Sequence, residues 1–194
     1  MSACLDIIAA APGVPAATPR IAGDCRVTCA VYSPSTILLT REKQVTSISG
    51  GGGLYSTAVD YLTLIRMLLQ GGQLNGVRLL REETVALMSR NQIGDLEAGV
   101  LKTTNRVLSD DVDFFPHIRL RWSLGHMINM DPVPHGRSAG SLTWAGLFNT
   151  YYWIDPVKRV AAVFMTQVLP FADRLVLSLY GQFERGIYSA VNAE

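Results

Sequence analysis

Leu142-Thr143-Trp144-Ala145-Gly146-Leu147-Phe148-Asn149-Thr150-Tyr151-Tyr152-Trp153-Ile154 is the stretch whose reading decides the fold. It is a run of aromatic and β-branched residues, which pack well on a pleated, half-buried surface. It therefore reads as β. Asp155-Pro156, with Lys158 just behind, reads as a tight turn into a second such run, RVAAVFMTQV, residues 159–168. A third run of the same character, WSLGHMINM, covers 122–130. After the strands, Leu175, Leu179, Phe183 and Ile187 recur at helical spacing and predict a terminal helix over about 171–191. Strands that follow one another closely and then a helix imply an antiparallel meander with helical cover, an α+β arrangement.

Working outward toward the N-terminus, Gly50-Gly51-Gly52-Gly53 precede LYSTAVDYLTLIRMLLQGG, residues 54–72. Thr57 with Asp60 three positions on resembles a capping box. Tyr61, Ile65 and Leu68, with Leu62 and Leu69, keep a helical period, and Gly71-Gly72 end it. A second helix is predicted from Glu82 to Arg90, with Glu82 and Glu83 in the first turn, where the helix dipole favours acids. Residues 92–121, including DDVDFFPH, are mixed and polar and read as a long surface segment. Residues 1–24 are rich in Ala and Pro and read as an irregular lead-in. The stretches 26–32 and 36–40 read as short strands or apolar patches.

Composition bounds the function. With 194 residues, 48% hydrophobic and 17% charged, the chain is long enough to bury a sizeable core and is not of disordered type. A net charge of +1 supplies no electrostatic footprint for nucleic acid or an anionic membrane, so neither is expected as a partner. Cys4, Cys25 and Cys29 form no regular disulfide framework, and no Cys/His pair elsewhere completes a zinc site with Cys25 and Cys29. No metal and no cofactor is expected. No apolar run approaches the roughly 20 residues that span a bilayer, and the first residues lack the basic region of a signal peptide. A cytoplasmic location is the expectation.

Gly136-Arg137-Ser138-Ala139-Gly140 fits G-x-S-x-G, the nucleophile-elbow pattern, with His135 beside it. The elbow requires a strand, a sharp turn and then a helix. Here Pro132 and Pro134 precede the serine and a β run follows it, so both halves of that context fail. Ser138 reads as a loop residue. His135 reads as a solvated loop residue, and His117 and His126 as surface or core histidines.

Three stretches in order, 49–80, 139–156 and 160–170, resemble the serine β-lactamase-like hydrolases: class C β-lactamases, penicillin-binding proteins and family VIII carboxylesterases, most of all the esterase branch. The resemblance implies an α+β body, an antiparallel sheet with flanking helices of β-lactamase/transpeptidase type. It implies a serine nucleophile in an S-x-x-K motif and a third motif on a sheet strand, K-T-G in β-lactamases and often W-x-G in esterases. Trp144-Ala145-Gly146 matches that third motif and would bind substrate. By the same resemblance the backbone N–H of Leu147 would be a catalytic oxyanion donor, and Trp144 an apolar wall where a lysine would instead favour a carboxylate. The implied substrate is a small-molecule ester or amide, cleaved through an acyl-enzyme.

No S-x-x-K and no Y-x-N occurs in the chain; Thr40-Arg41-Glu42-Lys43 comes nearest and reads as a polar turn. In the family both motifs precede the glycine run. Residues 1–48 are therefore expected to be an unmatched, partly irregular leader, and 49–194 the C-terminal part of an incomplete hydrolase domain that is inactive alone. Strands and helix 57–70 would then need cover from a complementary N-terminal half or from self-association. The rival expectation is a non-catalytic remnant that binds a small ligand or a partner chain.

Overall fold

A computed structural model describes residues 5–10, 20–21 and 26–32 as strands, and residues 56–193 in full. Cys4, Cys25, the 36–40 stretch, residues 40–43 and the glycines 50–53 lie outside the described residues. The strands are β1 (Leu5–Ala10), β2 (Arg20–Ile21), β3 (Arg26–Tyr32), β4 (Gln73–Leu74), β5 (Val77–Arg78), β6 (Leu120–Trp122), β7 (Met127–Asn129), β8 (Leu142–Gly146), β9 (Thr150–Asp155) and β10 (Val160–Thr166). The helices are α1 (Ala58–Leu69), α2 (Glu82–Ser89) and α3 (Arg174–Asn192). Eight strands form one sheet in the order β2-β1-β3-β10-β9-β8-β7-β6, and β4 pairs with β5 as a separate hairpin.

From β10 to β6 every pairing is antiparallel, which is the expected meander. Beyond β10 the sheet is mixed: β3 joins β10 in parallel and β1 joins β3 in parallel. Leu5–Ala10, within the segment read as irregular, is thus a strand. The 142–154 run is two strands rather than one, split by a turn at 147–149. Leu147 and Phe148 carry the apolar character into that turn, and the signal that marks the break is the flanking pair Gly146 and Asn149, residues that favour turns.

β9 and β10 are buried on both faces, which makes their residues almost uniformly apolar. Tyr152, Ile154, Ala161 and Val163 point to the face covered by Ala58, Leu62 and Ile65 of α1. Tyr151, Trp153, Val160, Ala162 and Phe164 point the other way, against Val176, Tyr180, Ile187 and Tyr188 of α3. Helix α1 starts as its sequence dictates: Thr57 Oγ1 accepts from the Asp60 N–H at 3.1 Å, and Gly71 at φ +68° ends it. The α3 N-cap is Asp173, whose carboxylate accepts from Val176 N–H at 2.9 Å. The 92–121 segment is not merely a surface loop. Leu101 bridges Val112, Ser109 bridges Phe171, and Leu120–Trp122 forms the outermost strand of the meander. A three-residue strand carries too few alternations to announce itself in sequence.

Candidate functional site

Trp144, Ala145 and Gly146, which the resemblance suggests as the third motif, occupy the end of β8, and Leu147 lies in the turn after it. β7 pairs only with Leu142 and Thr143, whereas β9 pairs with β8 all the way to Gly146. Trp144, Ala145 and Gly146 therefore present an edge that β7 does not cover. Asn149 N–H donates to Gly146 O at 3.0 Å and Asn149 sits at φ +59°, a three-residue hairpin loop closed by a left-handed residue. A Cβ at Gly146 would come close against the Thr150 hydroxyl, so any larger residue there would force the Thr150 side chain to move. Leu147 is the second residue of this turn. Its side chain is 47% exposed, and its N–H has no acceptor among the described residues.

The turn is held from behind. Asn149 is fully buried; its Nδ2 donates to Val168 O (3.0 Å) and Pro170 O (2.7 Å). Its Oδ1 accepts from the Tyr151 hydroxyl (2.7 Å) and Ala172 N–H (2.8 Å). Thr166 Oγ1 adds bonds to Phe148 O and Asn149 O. A fully satisfied buried amide fixes one backbone arrangement, because any other leaves several polar groups unpaired. Trp144 is half-buried, edge-on to Trp122 with ring centroids 4.5 Å apart and to Phe114 at 6.1 Å. It stands at the boundary of the core, packed against the cluster beneath α1.

The G-x-S-x-G segment lies at the other end of β8, in the loop from β7. Strand β8, not a helix, comes directly after Ser138, and the serine's side-chain hydroxyl has no hydrogen bond among the described residues. Its main chain is what the fold uses. Ser138 N–H donates to Asp155 Oδ2 at 2.8 Å, and its carbonyl accepts from Asn129 Nδ2 and Ser141 Oγ, each at 2.8 Å. Arg137 is fully buried and forks onto Glu184 of α3, Nε to Oε1 at 2.8 Å and an outer nitrogen to Oε2 at 2.7 Å. It also donates to the Tyr180 hydroxyl at 2.8 Å and lies 4.8 Å over the Trp153 ring. Gly136 makes room for this pair: a Cβ there would meet Glu184 Oε1 at 2.6 Å. The pattern that resembles a nucleophile elbow is the socket of a buried ion pair.

Of the histidines, His117 and His135 are exposed loop residues at φ +68° and +58°. His126 is buried, and its burial pushes the imidazole below its ordinary value. Among the described residues no group of three His, Cys, Asp or Glu side chains is placed to hold a metal. No helix among them is long and apolar enough to cross a membrane. Arg137, Glu184 and Asn149 were not legible from the sequence, since the partner lies 47 positions away for the ion pair and three of the four partners lie 19 to 23 positions away for the amide.

Comparison with known proteins follows this geometry. A beta-lactamase family model matches residues 9–181. The matched region therefore begins well inside the 1–48 segment. An uncharacterised protein of Mycobacterium tuberculosis is 30% identical over 129 residues, 63% of this chain and 29% of that protein. Acyltransferase calJ of Penicillium decumbens is 28% identical, with 72% of this chain and 33% of that protein covered. Lovastatin esterase of Penicillium rubens is 27% identical, covering 74% and 36%. Among solved structures, unliganded simvastatin synthase (LovD) from Aspergillus terreus superposes with a TM-score of 0.53 at 26% identity, over 67% of this chain and 33% of that one. The chain thus spans about a third of the length of the relatives it matches. The sheet, its helices on both faces and the matched region agree on the β-lactamase/transpeptidase-like fold, and the chain belongs to the beta-lactamase family, with acyltransferases and an esterase among its relatives.

Proposed function

We propose that this chain carries the strand-and-turn part of an acyl-transfer site that cleaves carboxylic esters through an acyl-enzyme. The observation that carries the reading is the Leu147 N–H: unpartnered among the described residues, on a turn locked by Asn149, beside the uncovered end of β8. An amide fixed before the reaction stabilises charge on a tetrahedral oxyanion without reorganising, which is the largest single contribution in many acyl transfers. Trp144 supplies an apolar wall for the acyl or alcohol group and no cation for a carboxylate. The printed names of two relatives, an acyltransferase and an esterase, favour the same chemistry.

Because the 194 residues hold no S-x-x-K, the nucleophile comes from a segment outside them, either a complementary N-terminal half or another chain docked on this one. The test is hydrolysis of p-nitrophenyl butyrate by this chain alone and mixed with an S-x-x-K-bearing N-terminal segment of a family esterase. The chain alone should release p-nitrophenol no faster than buffer, and the mixture should turn over saturably. Leu147→Pro suits the second position of a turn while deleting the N–H, so in the mixture it should lower kcat by about 100- to 1000-fold. Trp144→Ala should alter bulky esters more than short ones. Turnover by the chain alone would overturn the missing-nucleophile reading. Saturable binding of a ligand or partner with no turnover in any mixture would favour the non-catalytic reading, which the absent S-x-x-K also supports.

A further inference from the structure

At the opposite end of β8 from Leu147, roughly 16 Å along the strand, lies a pocket of about 230 Å³ between α1, α2 and the sheet. Leu68 and Leu69 close one side, Val85 of α2 another, and Leu142 and Ile154 form the floor. The lining is mostly apolar; its polar side chains are Glu82, Ser89, whose hydroxyl donates to Val85 O at 2.8 Å, and His126. His126 is 7% exposed, and its Nδ1 is 2.7 Å from the Tyr152 hydroxyl, with which it shares a hydrogen bond. Tyr152 is in turn packed on Tyr61 of α1, ring centroids 5.4 Å apart. The ring orientation is therefore fixed, while Nε2 has no partner among the described residues.

We infer that this pocket binds an uncharged phenol or alcohol, its hydroxyl on His126 Nε2 and its hydrocarbon body against Leu142, Ile154 and Val85. Three observations select that class. First, size: an apolar cavity of about 150 Å³ holds benzene, so a pocket of this volume takes one ring with a small substituent. Second, charge: burial keeps His126 neutral and Glu82 stands at the rim, so nothing compensates a carboxylate. Third, hydrogen bonding: the tautomer of His126 decides whether Nε2 donates or accepts, and a hydroxyl satisfies either, whereas an ether or ketone satisfies one. The inference is independent of the acyl-transfer reading, because it uses no residue of the turn at 146–149.

The experiment titrates the full chain at pH 7.5 with p-cresol, toluene and p-toluate, following binding by calorimetry and the His126 ring nitrogens by NMR. p-Cresol should bind saturably, about fivefold tighter than toluene, the scale of one net hydrogen bond. p-Toluate should not bind. Ala86→Trp, on the exposed rim contributed by α2, should fill the pocket and abolish binding of both neutral ligands. His126→Phe should make p-cresol and toluene bind equally. If that variant does not fold, the native protein decides: p-cresol must shift the Nε2 resonance and toluene must not. Failure of p-cresol to saturate, binding that survives Ala86→Trp, or an unmoved Nε2 resonance would each overturn the assignment.

Discussion

The two ends of strand β8 are built alike and serve differently. At one end, the loop through Gly136-Arg137-Ser138 is pinned by a buried charged pair; at the other, the turn Gly146–Asn149 is pinned by a buried amide. The first carries a recognisable catalytic pattern, yet its groups are spent on the fold: guanidinium on Glu184, main chain on Asp155 and Asn129. The second carries a less conspicuous pattern, yet its Leu147 N–H has no acceptor among the described residues. The conspicuous pattern and the backbone group left unsatisfied among the described residues therefore lie at opposite ends of the strand.

Breaking the first end should cost most. Glu184→Ala leaves Arg137 as an unpaired charge with no access to water, and loss of one partner of a buried pair costs about 3–5 kcal/mol. One Arg137 nitrogen already has no partner among the described residues, so the side chain has little to fall back on. Urea unfolding should show a large drop in midpoint, or no folded baseline. A drop under about 1 kcal/mol would mean that the pair contributes little and that the loop is held by Asp155.

Breaking the second end should cost less but reach further. Asn149→Ala removes four hydrogen bonds and places alanine at a left-handed φ. We expect a loss of about 2–4 kcal/mol. Faster hydrogen exchange should appear in 146–150 and 168–172 and not in 136–141. Equal loosening at both ends would show that β8 transmits the change and that the ends are not separate devices.

The two ends also differ in what the sequence discloses. Helix α1 was legible because its signals are local: Thr57 and Asp60 three apart, an apolar period, and Gly71. The meander was legible from β-branched and aromatic runs. The split of 142–154 into two strands was missed, because the apolar Leu147 and Phe148 masked the turn-forming pair Gly146 and Asn149 that brackets them. The role of Arg137 was not legible either, because its partner is fixed only once α3 has crossed behind the sheet. Long-range satisfaction of a buried polar group has no local signature.

A smaller effect separates the sheet's faces by pH. On the α3 face burial alone would raise the Glu184 carboxyl, but the charge and hydrogen bonds of Arg137 outweigh it and hold the group below the usual carboxylate range. Its folded pKa is depressed, so its contribution is present above about pH 4.5 and is lost as pH falls through the folded value. On the α1 face burial lowers the His126 imidazole. Protonation is again disfavoured in the folded state, so stability starts to fall as pH drops below about 6.5. Urea midpoints from pH 8 to 3 should thus decline in two windows, and His126→Phe should remove the upper one alone. A single window in the native protein, or an upper window that persists in the variant, would break the assignment.

The smallest expected effect bears on the sharpest question. Ser138→Ala removes a hydroxyl that has no hydrogen bond among the described residues and keeps every main-chain bond the loop uses. Stability should change by less than about 0.5 kcal/mol, as for substitutions away from any specific contact. If Ser138 were a nucleophile, the same change would lower kcat by about a thousandfold or more in any mixture that turns over. A fluorophosphonate ester, which labels activated serines, offers a test that needs no turnover. It should leave Ser138 unmodified, because no histidine, lysine or tyrosine among the described residues bonds its oxygen to draw off the proton. Labelling at Ser138, abolished by Ser138→Ala and spared by Leu147→Pro, would move the chemistry to the other end of β8 and reverse the roles of the two loops.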